Sequence, residues 1–444
     1  MKKGKVAAAG MLGLAMLMGT PAVNVLAASP ATAVQQQTDS VTRGEFFAML
    51  AQAVDLPNAT KTQRTYKDIV QGSELGRIVG KLQGAGVLNG YQDGTIRPSN
   101  ALKAGEAIAL IGGALGIPNQ PVPGATSPLP SKHWASNVAG WLAEANIEYD
   151  WNNLERTLSK QEAQALIQKI LSTSSEAKKL FEESNKAQQD VKSFRMNGTM
   201  SYNMKFTKDA FADMSAEEQA VLKSMTGKGI SIGIDGAFVM PDSMYMKMKM
   251  DMPVPGMGAM DMEQYMIGKD MYMKMPDTGA DASANPSGWM KMPNAFPMDM
   301  KAMMEQQMSG IPPQLEKKLF YRALGNEQLA FQGRIDKLTD LLPMMGGMQG
   351  MEEVTESLTE AENVIGPIYM QGVMKLDPKT KMPTATNIQI VVSFKEGQED
   401  MPIQQMMLTQ KLTYSDYNGN VKVELPEAAK NAKEMPVPEE AEKK

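Results

Sequence analysis

The sequence predicts a multidomain protein in which an all-α bundle of helical repeats is followed by an α+β domain with an antiparallel sheet. The N-terminal part contains similar helical segments at intervals, which is the pattern of a repeat architecture. The later part contains stretches in which methionine alternates with charged or aromatic residues, as in strands with one buried face. At roughly 150 residues per domain, 444 residues allow two to four domains.

A secretory leader is predicted at residues 1–27. Three lysines lie among the first five residues, an apolar run covers 6–18, and Ala27 ends a small-residue cleavage site. No cysteine follows the apolar run to carry a lipid, and no later run reaches the roughly 20 apolar residues that a membrane span needs. We therefore expect an exported chain with no transmembrane segment after signal cleavage.

Composition excludes several kinds of chemistry. The chain has no cysteine and one histidine, which rules out disulfides, thiolate zinc sites and multi-histidine metal sites. The net charge is −5, and it becomes −8 when the three leader lysines are removed, so nucleic acid is a poor candidate partner. No catalytic motif is present, and we expect no enzyme activity, no cofactor and no metal, although the many carboxylates leave a wall-associated hydrolase open as an alternative.

Three segments, 41–50, 102–111 and 158–167, align with one another, and each begins a helix with apolar residues at helical spacing. Each also carries a glutamate near the helix start, where negative charge suits the helix dipole. These glutamates are Glu45, Glu106 and Glu162. With the helix halves that precede the second and third copies, the pattern predicts two full repeats preceded by a half repeat.

The middle repeat has the most complete motif. It joins Tyr66–Asp68, a helix, the glycine- and aspartate-rich turn Gly84–Pro98, and the helix start Leu102–Glu106. This pattern resembles the S-layer homology module. The resemblance implies a three-lobed bundle that binds the secondary cell-wall polysaccharide of Gram-positive bacteria, and it places the repeat domain at 28–172. A secreted protein at the cell wall or S-layer surface is expected.

In that family the arginine of a Thr-Arg-Ala-Glu motif contacts the acidic sugar. The resemblance carries this role to Arg43 with Glu45, whereas the second copy has Ala104 and the third has Lys160 at the arginine position. It therefore implies one main polysaccharide site at Arg43 and a weaker one at Lys160. A purely structural bundle is the alternative.

The region after the repeats alternates in strands and helices. Strands are predicted at 194–206, 244–252, 271–275, 365–376, 385–394, 406–414 and 420–425, with a hairpin turn at Asn418-Gly419 joining the last two. Helices are predicted at 176–192, 210–224, 298–308, 313–324 and 327–341. The last three form a predicted helical insertion between two groups of strands.

This domain, placed at 175–432, resembles the curved half-barrel carriers related to the LolA and LppX/LprG lipoproteins. The features that carry the resemblance are the leading helix, the strand start Ser193–Gly198 and the closing segment Val421–Ala429. The resemblance implies a curved sheet that holds a lipid or another apolar molecule. Residues 433–444 are predicted to be an acidic, disordered tail.

Methionine is unusually frequent, with 41 residues in the chain. Alternation predicts that one sheet face carries the methionines and the other carries Lys247, Lys249 and Lys274. Three interpretations remain open: an ordinary core, an adaptable apolar cavity, and a thioether site for Cu(I). The residues predicted to face a ligand are Met246, Met248, Met250 and Met273.

Overall fold

The computed structural model describes the greater part of the chain in eleven stretches. They are residues 40–57, 64–122, 125–211, 214–227, 229–251, 259–274, 288–295, 315, 317–341, 351–395 and 403–435. The predicted leader, the methionine cluster predicted as a helix at 298–308, and most of the predicted acidic tail lie outside them.

The described residues of the N-terminal part form five helices, and three of these helices begin in the same way. They are α1 (Arg43–Ala53), α2 (Glu74–Gly84), α3 (Ala104–Ala114), α4 (Ser136–Glu144) and α5 (Lys160–Ile170). In α1, α3 and α5 a glutamate accepts a hydrogen bond from the backbone N–H three residues earlier, at 2.9, 3.1 and 2.8 Å. These glutamates, Glu45, Glu106 and Glu162, satisfy backbone donors that the first helical turn leaves unpaired.

The three repeat copies close on one another through a cycle of backbone hydrogen bonds. Val41 N–H donates to Leu158, Leu158 N–H donates to Leu102, and Leu102 N–H donates to Val41, at 2.9, 3.0 and 2.9 Å. All three side chains are buried in a common core. Isolated β-bridges accompany this cycle, so the N-terminal part is helical repeats joined by short extended segments rather than the purely α bundle that the sequence predicted.

A 12-stranded open sheet dominates the rest of the described chain, in the order β12-β6-β5-β4-β3-β2-β1-β11-β10-β9-β8-β7. Neighbouring strands are antiparallel except for the short β12, which runs parallel to β6. The strands are β1 (Ser193–Phe206), β2 (Ile230–Val239), β3 (Ser243–Asp251), β4 (Met260–Ile267), β5 (Asp270–Lys274), β6 (Trp289–Met292), β7 (Leu319–Ala323), β8 (Gln328–Ile335), β9 (Ile365–Leu376), β10 (Pro383–Phe394), β11 (Ile403–Ser415) and β12 (Lys433–Glu434).

Three sequence predictions for this part are wrong. The helices predicted at 313–324 and 327–341 are largely strands, β7 and β8. The predicted hairpin after Asn418 does not form, because residues 420–425 are not a strand and Asn418 instead bonds the start of β1 through Ser193. The predicted tail begins with β12, which pairs with β6.

One face of the sheet carries aliphatic side chains from β7 to β11 and methionines from β3 to β6. We call it the methionine side. Helix α6 (Ser175–Gln188) covers part of it, with Phe181 against Tyr321 at 5.5 Å between ring centroids. Two further helices, α7 (Ala216–Gly227) and α8 (Met351–Glu362), contact β1 and β9. A short α9 (Glu427–Lys430) follows β11 and contacts β6.

The repeats pack on the opposite face, over β7 to β11, and the C-terminal ends of their helices meet the sheet. Arg334 of β8 donates from Nη1 to Ala85 after α2 and to Gly113 in α3, at 2.9 and 3.2 Å. Gln332 donates to Ile170, the last residue of α5, at 3.0 Å. Strand β8 therefore supplies hydrogen-bond donors to carbonyls at the C-terminal ends of these helices.

Helix α4 ends on the same surface. Arg322 of β7 donates to the carbonyls of Ala145 and Asn146, at 2.5 and 3.3 Å. Trp141 packs edge-on against Tyr369 of β9, with ring centroids 5.2 Å apart. Burial lowers the pKa of Arg322 to about 10, because the charged form loses water. The joint between the repeats and the sheet thus combines buried hydrogen bonds with apolar packing. Within the described ranges, no helix has the length and apolar character required to cross a membrane.

Candidate functional site

The candidate site lies where the start of one repeat helix meets the glutamate of the next repeat, an arrangement that we call a junction. At the first junction Arg43, the first residue of α1, pairs with Glu106 of α3 at 2.8 Å. Arg43 Nε also donates to the carbonyl of Ile96 at 2.9 Å. Arg43 is only 6% exposed, so its side chain mainly joins two repeats and offers little surface to a ligand.

Arg97 is a solvent-exposed cation at the first junction. Its side chain is 44% exposed, and its guanidinium lies 4.0 Å from the ring centroid of Tyr91. Asp93 holds it with an ion pair of 2.9 Å. Tyr91 in turn donates its hydroxyl to Glu106 at 3.0 Å. An arginine stacked on an aromatic ring and fixed by a carboxylate is a preorganised donor for an anionic ligand.

The other two junctions carry less charge for a ligand. Ala104 holds the position of Arg43 at the second junction, where Glu162 pairs instead with Arg156 at 2.7 Å. At the third junction Lys160 lies 3.4 Å from Glu45, and about half of the lysine side chain is exposed. The third junction therefore has one cation within reach of solvent, in the position that the sequence predicted for a weaker site.

Hydrogen bonds lower the pKa of two carboxylates at these junctions, Asp93 and Glu45. The pKa of Asp93 is lowered to about 2, mainly by a hydrogen bond from the Thr95 hydroxyl and next by a hydrogen bond from Arg97. Bonds from the backbone and hydroxyl of Thr42 lower the pKa of Glu45. Desolvation is the main cause that raises the pKa of Tyr91. At neutral pH the phenol of Tyr91 is therefore neutral, and the Asp93 carboxylate that pairs with Arg97 is charged.

The four methionines predicted to face a ligand lie on the methionine side. Met246 is buried, while Met248, Met250 and Met273 keep partial exposure. Cross-strand pairing places Met248 opposite Met262 and Met250 opposite Met260. The alternate residues Lys247, Lys249 and Lys274 lie on the other side of the sheet. The described residues contain no cluster of three or more histidine or acidic side chains that would suit a harder metal ion.

The sequence predicted an S-layer homology module in the repeats. In agreement, residues 65–108 match the S-layer homology domain, and this match contains Tyr91, Arg97 and Glu106. Residues 176–320, from α6 into β7, match a family of unknown function, DUF6612. No curated protein matches the chain. The comparisons give no support for the resemblance to LolA-type carriers.

Sequence reasoning missed Arg97 because the family motif directed attention to the helix start at Arg43. A local signal was present. Arg97 lies four residues after Asp93 and six after Tyr91, across the Asp93-Gly94 turn, so a carboxylate and a ring were both within reach. Its backbone has a φ of 53°, which turns the chain just before Pro98.

Proposed function

We propose that this protein is held at the cell surface by its repeats, which bind secondary cell-wall polysaccharide mainly at the first junction. The S-layer homology domain supports the coarser statement, which is association with the bacterial surface. The observation that carries the finer proposal is Arg97 stacked on Tyr91 and paired with Asp93. Such an arginine can offer two parallel donors to a carboxylate on an acidic sugar.

In this proposal Arg43 and Arg97 have different tasks. Arg43 is buried between the repeats and fixes the positions of Glu106 and Ile96. Arg97 is exposed, so it is the group that meets the polymer first. Lys160 adds a second, weaker contact at the third junction, since it is a point charge without an aromatic platform.

The test is sedimentation of the full-length secreted protein with purified cell walls that carry the secondary polymer. Arg97→Ala should reduce the bound fraction at limiting wall by about tenfold, because one charge-assisted bidentate contact is worth roughly 1.5–3 kcal/mol. The matched control is Lys81→Ala, which removes a partly exposed cation that lies 3.9 Å from Asp55, on the side of the repeats that faces the sheet. Equal pelleting of the two variants would refute the role of Arg97.

The second part of the proposal concerns the C-terminal domain, which we propose to be a non-catalytic binding domain displayed by the anchor. What supports it is the partial exposure of thioether side chains along β3 to β6, on the same face that is buried aliphatic core at β8 to β11. A lipid-like ligand stays a prediction from the sequence, and no comparison favours it.

A further inference from the structure

The residue types on the methionine side differ between the two ends of the sheet. At β8 to β11 this side is mostly branched aliphatic, with Met370, Met374 and Met406 among its members, whereas at β3 to β6 it is built almost entirely from methionine. The aliphatic members are Leu329, Ile335, Ile368, Ile388, Ile390, Val392, Leu408 and Leu412. Since β-branched residues suit strands better than methionine does, hydrophobic burial alone does not account for the change.

The register aligns these thioethers in rows across neighbouring strands. Met244 of β3 pairs with Met266 of β4, Met266 pairs with Met271 of β5, and Met271 pairs with Met292 of β6. Adjacent strands are about 4.8 Å apart. Four sulfur-bearing side chains therefore stand side by side over four consecutive strands.

A square of methionines lies at the β5–β6 end of these rows. Met271 pairs with Met292, and Met273, two residues along β5 on the same face, pairs with Met290. We call these four residues the methionine square. All four are partly exposed, whereas Met266 beside them is buried. The square is thus partly open to solvent and lies beside the buried Met266.

We propose that the methionine square binds a soft monovalent metal ion, Cu(I) or Ag(I), through its thioether sulfurs. This inference rests on the proposed binding role of the C-terminal domain and names its ligand. Soft sulfur ligands select Cu(I), and unbranched methionine side chains bend easily, so that three or four sulfurs from a square with sides of about 5 and 7 Å can converge on one ion.

The test is titration of the full-length secreted protein with Ag(I), and with Cu(I) under anaerobic conditions against a chromophoric Cu(I) chelator. The variant replaces all four residues of the square by leucine, which keeps volume and apolar character but removes sulfur. The matched control replaces four other methionines of the same sheet face by leucine, away from the square. These are Met196, Met200, Met204 and Met406.

The square variant should lose at least about tenfold in metal affinity, the usual effect of disturbing a metal site, while the control should stay within about twofold of wild type. Equal affinity of the two variants, or no competition by the wild-type protein, would overturn the metal site. An apolar fluorescent probe added to the same proteins separates the two proposals. If the wild-type protein binds no metal but the square variant loses probe binding, the binding role stands and the metal site is refuted. If the square variant loses neither metal nor probe binding, both proposals are refuted.

Discussion

Replacing Arg334 by leucine should test whether the sheet holds the repeat helices in place. The side chain of Arg334 is 6% exposed, and it donates to carbonyls at the ends of α2 and α3 while pairing with Asp336 at 2.7 Å. Each hydrogen bond from a charged donor is worth roughly 1.5–3 kcal/mol, and breaking a buried ion pair from one side costs about 3–5 kcal/mol. Because these contributions overlap, we expect a loss of about 3–5 kcal/mol in the free energy of unfolding.

The assay is urea denaturation of the full-length protein, followed by tryptophan fluorescence for the repeats and by far-ultraviolet circular dichroism for the sheet. Three of the four tryptophans lie in the repeats, and Trp289 lies in the sheet. The matched control, Arg156→Leu, breaks the half-exposed pair with Glu162 and should cost less than about 1 kcal/mol. If Arg334→Leu is no more harmful than this control, the joint is not held as we argue. Adding Asp336→Leu to Arg334→Leu should recover part of the loss, since the unpaired buried carboxylate is then removed.

Two further outcomes follow from the fold. The pKa of Glu45 is lowered from 4.5, so the stability that its carboxylate contributes is complete above pH 4.5 and is lost as the pH falls below that value. Glu45→Gln should therefore flatten the fall in the free energy of unfolding between pH 6 and pH 3. An unchanged slope would contradict this expectation. Gly333→Ala would place its Cβ 1.9 Å from the carbonyl oxygen of Lys318 and should destabilise the protein by about 3 kcal/mol in urea denaturation. Gly233→Ala, whose Cβ has no neighbour closer than 3.8 Å, should change stability by less than about 1 kcal/mol, and equal losses would refute the clash.

Alternation located strands where one face of the sheet meets solvent, but the sequence also predicted β9, β10 and β11, which the repeats cover. Strands β3 and β5 alternate in polarity, because their other face carries lysines and acidic residues, and the sequence located them, whereas it missed β4 between them. Strands β7 and β8 are buried on both faces, between the repeats and α6, so their sequences lack alternation and resemble helices. The repeats that cause this burial are more than a hundred residues away in the chain.

The candidate site was only partly accessible to sequence reasoning. The motif located the first junction, but it did not show that Arg43 is buried by Glu106, a residue of the next repeat. The square of methionines depends on the register of β5 and β6, which pair across a segment that contains no regular sequence pattern. Alternation assigns residues to a face, whereas register decides which of them are neighbours.

The contact between the repeat helices and the sheet also sets the distance between the junctions and the sheet. The junctions lie at the N-terminal ends of α1, α3 and α5, and the sheet lies at the C-terminal ends of α3 and α5. A helix of 11 residues, such as α3, spans roughly 16 Å. If the junctions bind the polymer as we propose, that polymer lies about one helix length from the sheet. The hydrogen bonds of Arg322, Gln332 and Arg334 would then couple the orientation of the sheet to that of the cell wall.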